Sequence, residues 1–471
     1  MLLKYFYDPK IAHASYMVGC QRTGEALIID PGRDIEPYLH EAEANDMRII
    51  AAAETHIHAD FVSGARELSA CTGAKVVLSD EGDADWKYKN LDGFNHQLVK
   101  DGDVFMIGKV KLEVMHTPGH TPEHISFILT DMGGGADRPM GIFTGDFVFV
   151  GSIGRPDLLE KAAGIQGTAA AGALQMFNSV QRFKALPDYL QVWPAHGAGS
   201  ACGKGLGAIP SSTVGYEKLF NPALAYDDAE EFVEYLLADQ PEPPKYFAVM
   251  KQVNKVGPPV LHQMPRPEHL PASRMPELIQ SGALVIDTRS AGSFAGRHVP
   301  GTINIPADLL STWAGWFVDY KNPIYLIANS DHVAEAVRDL IYIGIDQVKG
   351  YFATTAIETL AEMGHKPQSY QVATADTLSD KILNGEVTLL DIRNQTEWDE
   401  GHIPGAKHLM LGYLMERADE VVNGMPIVVQ CRTGSRSAIG ASILQAKGAK
   451  EVINLQGGIR DWAAAGLPVE M

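Results

Sequence analysis

Short apolar runs that stop at a polar, Gly or Pro position recur along this chain of 471 residues. Ile49-Ile50-Ala51-Ala52-Ala53 ends at Thr55-His56-Ile57-His58-Ala59-Asp60-Phe61, and Val110-Lys111-Leu112-Glu113-Val114-Met115 ends at His116. Ile142-Phe143-Thr144-Gly145 runs into Asp146, and Val192-Trp193-Pro194-Ala195 into His196. Runs of this length, bounded by turn residues, predict strands. α/β folds usually place their chemistry where such strands give out. In the last third, Ile427-Val428-Val429 precedes a helical pattern over 437–446, an alternation that favours parallel α/β sheets.

Proline divides the chain. Pro241-Glu242-Pro243-Pro244, Gly257-Pro258-Pro259 and Met264-Pro265-Arg266-Pro267 continue neither a helix nor a central strand. Residues 246–268 are therefore expected to form a linker or surface connector, with every candidate metal ligand before it, in 1–245. After it the chain repeats itself. Ala283-Leu284-Val285-Ile286-Asp287-Thr288-Arg289 echoes Val387-Thr388-Leu389-Leu390-Asp391-Ile392-Arg393, and Gly296-Arg297-His298-Val299-Pro300-Gly301 echoes Glu400-Gly401-His402-Ile403-Pro404-Gly405. Asp287, His298 and Pro300 each lie 104 residues before their counterparts. Two α/β domains are expected, at 269–368 and 369–471.

Composition narrows the partners. With 45% hydrophobic and 21% charged residues the chain is ordinarily globular. A formal charge of −19 disfavours nucleic acid and anionic membrane surfaces. No apolar run approaches the roughly 18 residues of a membrane helix, and Met1-Leu2-Leu3-Lys4-Tyr5 lacks the features of a secretory signal. Four scattered cysteines (Cys20, Cys71, Cys202, Cys431) are no disulfide framework, so a cytoplasmic, reducing location is expected.

Cys431 stands out among them. The strand Ile427-Val428-Val429-Gln430 leads into Cys431-Arg432-Thr433-Gly434-Ser435-Arg436-Ser437 and then a helix. A thiol there meets unpaired backbone N–H groups and the positive end of a helix. Arg432 and Arg436 add positive charge. Gly434 lets the loop curl, with Thr433, Ser435 and Ser437 completing a cradle for an anion. Such surroundings favour a nucleophilic thiolate and stabilise a persulfide anion. The loop is tighter than the cradle cysteine phosphatases use for phosphate, which suits sulfur. In the first repeat Ala328 falls opposite Cys431, and Asn329-Ser330-Asp331-His332-Val333 has neither arginine. That copy is expected to be structural or a docking module.

The segment 55–61 carries the metal chemistry. In an extended chain His56, His58 and Asp60 share a face and can converge on one point. A histidine after Asp60 would complete a second metal site, but Phe61 stands there, which argues for one metal. His116, Asp146 and His196 are further candidates at strand ends. His120 and His124 adjoin His116, and Arg155, in Gly151-Ser152-Ile153-Gly154-Arg155-Pro156-Asp157, is placed either to meet an anionic substrate or to form an ion pair. Cys202 lies in a Gly-rich stretch six residues after His196. Its expected role is packing, with a sulfur relay as the alternative. Cys20, Cys71, His13, His40 and His96 are read as structural.

Two resemblances add to this. The Asp-x-Arg, Gly-His-Ile-Pro-Gly-Ala and Cys-Arg-Thr-Gly-Ser-Arg-Ser strings make 270–471 resemble a tandem rhodanese, which implies a catalytic role for Cys431, Arg432 and Arg436. Ile28-Ile29-Asp30-Pro31-Gly32, His-x-His-x-Asp, Thr-Pro-Gly-His and Thr-Gly-Asp make 1–245 resemble the metallo-β-lactamase superfamily, in its glyoxalase II-like branch. That implies an αββα sandwich with the metal at one edge of the sheets. Persulfide dioxygenases of the branch hold one Fe(II) by two histidines and a carboxylate, leaving positions for substrate and O2. Matched by motif, those ligands are His56, His116 and Asp146. His58, Asp60 and His196 then orient ligands or bind substrate, with direct ligation by His58 left open. The fusion implies oxidation of a low-molecular-weight thiol persulfide by O2 to sulfite, and transfer of sulfur through Cys431 to give thiosulfate. It also implies a homo-oligomer, dimeric or tetrameric. The alternatives are a dizinc thioester hydrolase of glyoxalase II type with an appended rhodanese, and a non-enzymatic persulfide sensor.

Overall fold

The computed structural model describes residues 1–158, 160, 167–240 and 242–471. Pro241, the first of the prolines that divide the chain ahead of the expected connector, lies outside them. By contacts the chain divides into two compact units, Met1–Met264 with Ile341–Gly344, and Pro265–Leu340 with Ile345–Met471. No helix among the described residues is long and apolar enough to cross a membrane.

The first unit contains two six-stranded mixed sheets. One runs Leu2–Asp8, His13–Cys20, Glu25–Ile29, Arg48–Ala53, Lys75–Ser79, His96–Val99 in spatial order, antiparallel at first and parallel from the third strand on. The other runs Ser212–Thr213, Gln191–Pro194, Gly141–Gly145, Ile125–Asp131, Val110–His116, Val104–Ile107. Period-two alternation lets each strand serve two cores. Ala14, Tyr16 and Val18 meet Phe127, Leu129 and Phe143 between the sheets, whereas Met17, Ile28 and Ile49 meet Tyr38, Ala42 and Leu68 of the helices Glu36–Ala44 and Ala65–Thr72. On the far side Ile142 and Val192 meet Met176, Val180 and Phe183 of the helix Thr168–Lys184. Helix, sheet, sheet, helix is the αββα order the resemblance implies.

The expected connector needs correction. Its middle is the α-helix Phe247–Val256, which buries Phe247, Met250 and Asn254. Their three- and four-residue spacing gives one inward stripe, and Pro244 and Pro258 merely bracket the helix.

In the second unit two all-parallel five-stranded sheets share one strand order. Asp287 pairs with Ile327, and Asp391 with Gln430. The next residues, Ala328 and Cys431, are therefore equivalent. The repeated Asp-x-Arg string is structural in both copies: Arg289 forks Asp287 and Arg393 forks Asp391, each with a closest contact of 2.7 Å. His298 and His402 stack on Phe294 and Trp398 at 3.9 and 3.7 Å between ring centroids.

Candidate functional site

The strand Arg48–Ala53 ends and the chain turns, so 54–61 is a loop rather than an extended segment. The three polar side chains of the His-x-His-x-Asp string do not converge on one point. Each goes to a different partner, and Asp30 decides the first two. Asp30 accepts from the Thr55 backbone N–H at 2.7 Å and from the Thr55 hydroxyl at 2.9 Å. With its proton given to Asp30, the Thr55 hydroxyl is left to accept from His56 Nδ1 at 3.0 Å. That fixes the tautomer and bares Nε2. His58 instead places Nε2 3.1 Å from Asp30 and leaves Nδ1 unpartnered. Burial pulls His58 down, but Asp30, with Asp60 and Glu54 beyond it, outweighs this and raises it to about 9.

His56, His120 and Asp146 bring one ligand atom each within 4.8 Å of one another, all buried. His120, not His116, is the second histidine. His116 stays at its strand end, partly exposed, with Nε2 2.9 Å from the Pro122 carbonyl. Gly119, at φ +147°, turns the chain inward immediately before His120. His120 Nδ1 then donates to the Arg155 carbonyl at 3.0 Å, which aims Nε2 at Asp146 Oδ2, 3.4 Å away. His56 Nε2 lies 3.9 Å from the same oxygen. Asp146 is set by His124, whose Nε2 accepts the Asp146 N–H at 3.1 Å and whose Nδ1 meets Thr117 at 2.8 Å. The string Thr117-Pro118-Gly119-His120 carried this information, since its glycine marks a turn that redirects the histidine after it.

Asp60, His196 and Cys202 form a second buried trio with the same spacing limit of 4.8 Å. His196 holds Nδ1 2.9 Å from the Ala12 carbonyl, so Nε2 points inward, 3.2 Å from Asp60 Oδ2 and 3.3 Å from Asp146 Oδ1. Burial acts against both ions, yet Asp146 is held well below the usual carboxylate range and His196 is raised, because each faces the other's charge. Burial first, then Asp146 and Asp60, push the Cys202 thiol up to about 12. Tyr246, buried beside this trio, was not suggested by any motif; burial, then Asp60 and Cys202, raise its phenol. Phe61 packs its ring 3.9 Å from that of His13 and 4.4 Å from that of His58.

A cation fits this cavity. His56 Nε2, His196 Nε2, both oxygens of Asp146 and both of Asp60 are buried with no hydrogen-bond partner. Leaving so many polar atoms unmet costs several kcal/mol unless a charge completes them. Nitrogen and carboxylate donors of this kind suit Fe(II) or Zn(II). Arg155 is not available as an anion receptor. Its fully buried guanidinium forks Asp157 at 2.7 Å twice, and its carbonyl positions His120.

In the second unit the Cys431 sulfur is buried at the head of the helix Ser435–Ala446, 3.1 Å from the Gly434 N–H and 3.4 Å from the Ser437 hydroxyl. Gly434 at φ +102° allows that curl. Arg432, Thr433 and Ser435 are exposed. Arg436 forks Glu397 at 2.6 and 2.7 Å, so its charge is matched rather than free to act on the loop.

Residues 9–196 match the metallo-beta-lactamase superfamily, and residues 374–465 the rhodanese-like domain. The mitochondrial persulfide dioxygenase ETHE1 of Bos taurus is 30% identical over 243 residues, covering 50% of this chain and 80% of that protein. A hydroxyacylglutathione hydrolase of Rhodospirillum rubrum is 33% identical over 181 residues, 38% of this chain and 60% of that one. The crystal structure of a metallo-beta-lactamase from Staphylococcus aureus subsp. aureus COL superposes with a TM-score of 0.68 at 44% identity, covering 75% of this chain and 98% of the other.

Proposed function

This chain belongs to the metallo-beta-lactamase superfamily, has persulfide dioxygenases among its relatives and carries a rhodanese-like domain, and from that premise we propose that it is a persulfide dioxygenase coupled to a sulfurtransferase. The observation that carries the reading is the buried trio His56, His120 and Asp146, two imidazoles and a carboxylate, with Phe61 where a further histidine ligand would stand. These residues would hold one Fe(II), which would supply open positions for O2 and the substrate sulfur and pass electrons from that sulfur, the group oxidised, to O2.

The overall conversion balances as R–SSH + O2 + H2O → R–SH + SO3²⁻ + 2 H⁺. The chain's own contribution is positioning. Asp30 through Thr55 holds His56, the Arg155 carbonyl holds His120, and His124 holds the Asp146 backbone, leaving Nε2 of each ligand histidine and both Asp146 oxygens for the cavity. Complete burial of His56 and Asp146 keeps bulk water from the reacting sulfur. In the second unit the Cys431 thiolate attacks the outer sulfur of a second persulfide. The S–S bond breaks, R–SH leaves, and Cys431 carries the sulfur. The Gly434 N–H and Ser437 hydroxyl then face that anion. Sulfite takes the sulfur, giving thiosulfate and restoring the thiolate.

The rival is a thioester hydrolase; the Asp60–His196–Cys202 trio and the hydroxyacylglutathione hydrolase relative favour it. Iron content and persulfide-dependent O2 uptake decide between them. Near-stoichiometric iron, with uptake lost in His120→Ala and retained in His116→Ala, is expected. Turnover of an S-lactoyl thiol without O2, and no persulfide-dependent uptake, would refute the dioxygenase reading.

A further inference from the structure

The first unit is not made of 1–264 alone. Ile341–Gly344, which the sequence places inside the first repeat, belongs to it by contact. These four residues stand behind the metal-binding loop. The Tyr342 carbonyl accepts the Val62 N–H at 2.7 Å, next to Phe61 and two residues from Asp60. Val62 is fully buried and Tyr342 only 8% exposed, so water competes little for this bond. Gly344 lies 3.4 Å, counted from a Cβ built on it, from Val62, and that Cβ would collide with Met250 of the helix Phe247–Val256. The Ile341 carbonyl is 3.5 Å from Arg33 Nη1, and Arg33 Nη2 donates to the Pro259 carbonyl at 3.0 Å.

The Tyr342 ring meets the other half of the same arrangement. A Cβ on Gly32 would sit 2.6 Å from that ring, and one on Gly64 would run into the Gly32 carbonyl. Gly32 is thus held between the ring and the Gly64 backbone, with no room for a methyl group. The Gly64 N–H donates to the Pro31 carbonyl at 2.8 Å, and Gly32 bridges Ser63. Two residues before Gly32 stands Asp30, which binds Thr55 and His58 and through Thr55 turns His56. Asp30 holds φ +49°, a backbone that persists where the surroundings over-determine it. The four residues therefore press at once on the strand end that carries Asp30 and on the loop that carries Asp60 and Phe61.

We infer that Ile341–Gly344 is a wall of the metal centre: through the Val62 bond and the Tyr342 ring it fixes Asp30 and the loop 54–61 where they aim His56. Tyr342 is then a positioning residue for the chemistry of His56, His120 and Asp146, although it touches none of them. The first repeat has Ala328 where the second has Cys431, and no cysteine elsewhere, so it carries no sulfur. Its contribution is this segment of the metal unit. The inference holds for any metal and any reaction that the trio serves.

The test uses the full-length chain, stripped of metal and kept anaerobic, with cobalt(II) as the probe. Without metal, the wild-type Val62 amide should exchange at least roughly 10³-fold more slowly than in an unstructured peptide. Tyr342→Ala should weaken cobalt by roughly 10–100-fold, as loss of an outer positioning group does, and should shift the d–d bands of the cobalt bound at saturation. Tyr342→Phe, which keeps the ring over Gly32, should stay nearer the wild type on both counts. Gly32→Ala drives a methyl into the ring and should weaken cobalt by itself, but less so together with Tyr342→Ala, which makes room for it. Slow exchange of the Ile427–Gln430 amides, in the other unit, reports that each variant is folded. If Tyr342→Ala is not folded, Tyr342→Leu takes its place. Fast exchange at Val62 in the wild type, bands that do not move in Tyr342→Ala, or additive effects of Gly32→Ala and Tyr342→Ala overturn the inference. No readout here consumes O2, so failure of the wall and failure of the dioxygenase reading are separate results.

Discussion

Asn254 should govern the stability of the metal-binding loop from outside it. It sits on the helix Phe247–Val256, 4% exposed, and makes three hydrogen bonds to the loop. Its amide donates to the His58 carbonyl at 2.8 Å and the Phe61 carbonyl at 2.7 Å, and its oxygen accepts the Ser63 N–H at 2.9 Å. Asn254→Ala removes all three. At about 1 kcal/mol net for each neutral bond, the loss is about 3 kcal/mol, with water in the vacated space keeping the orphaned groups from costing more. Since every 1.4 kcal/mol is tenfold, local opening should become roughly 10²-fold more frequent. Hydrogen exchange of the metal-free, full-length protein measures this at the Ser63 amide. Amides of the strand Ile427–Gln430, in the other unit, should not change and serve as the internal standard. Cobalt affinity should fall by about 10–100-fold, as for loss of a group that positions a ligand. An increase below about threefold at Ser63, or an equal rise in both units, would show that the helix does not clamp the loop.

Three more predictions follow from single residues. Burial raises Glu123 to about 7, so the folded state keeps a proton the unfolded chain releases near 4.5. That stability is full below pH ~4.5 and lost as pH rises through ~7, a change of at most about 3 kcal/mol. Glu123→Gln keeps the acceptor for the Ile57 N–H, 2.8 Å away, and should flatten the dependence; parallel urea curves at pH 5 and 8 test it. Glu397→Gln frees Arg436 to act on the Cys431 loop, and the KM for sulfite in sulfur transfer should fall about two- to fivefold, the worth of about 0.5–1 kcal/mol for a partly exposed charge; an unchanged or higher KM refutes it. Gly119→Ala sets a Cβ 2.6 Å from the Met176 backbone at φ +147°, so strain of about 1–3 kcal/mol should displace His120 and lower bound metal, read by elemental analysis.

Much of the architecture was legible because its causes are local or periodic. Apolar runs ending at Gly or Pro gave the strands that lead to the site, and the 104-residue offset gave two sheets of one order. Asp146 and His196 sit where their strands stop, so their places followed from the pattern. The errors lie in turns. Proline at both ends of 246–268 hid a helix whose inward stripe, Phe247, Met250 and Asn254, is visible only once there is a core to face. Motif matching to the resembled family points to His116, whereas the trio takes His120, because the direction of the chain after Gly119 depends on a backbone angle that residue names do not state.

The sequence by itself determined which donors exist and that Phe61 is not one of them. The tertiary structure alone decided how they divide. Asp30, bound to Thr55 and His58, splits a string that looked like one site, and Asp146 turns one oxygen to each group. Cys202 reaches Asp60 and His196 although 142 residues separate it from the first and six from the second. Side-chain type and spacing are properties of a segment, but coordination requires atoms within a few ångströms, and only the packing of distant segments sets that distance.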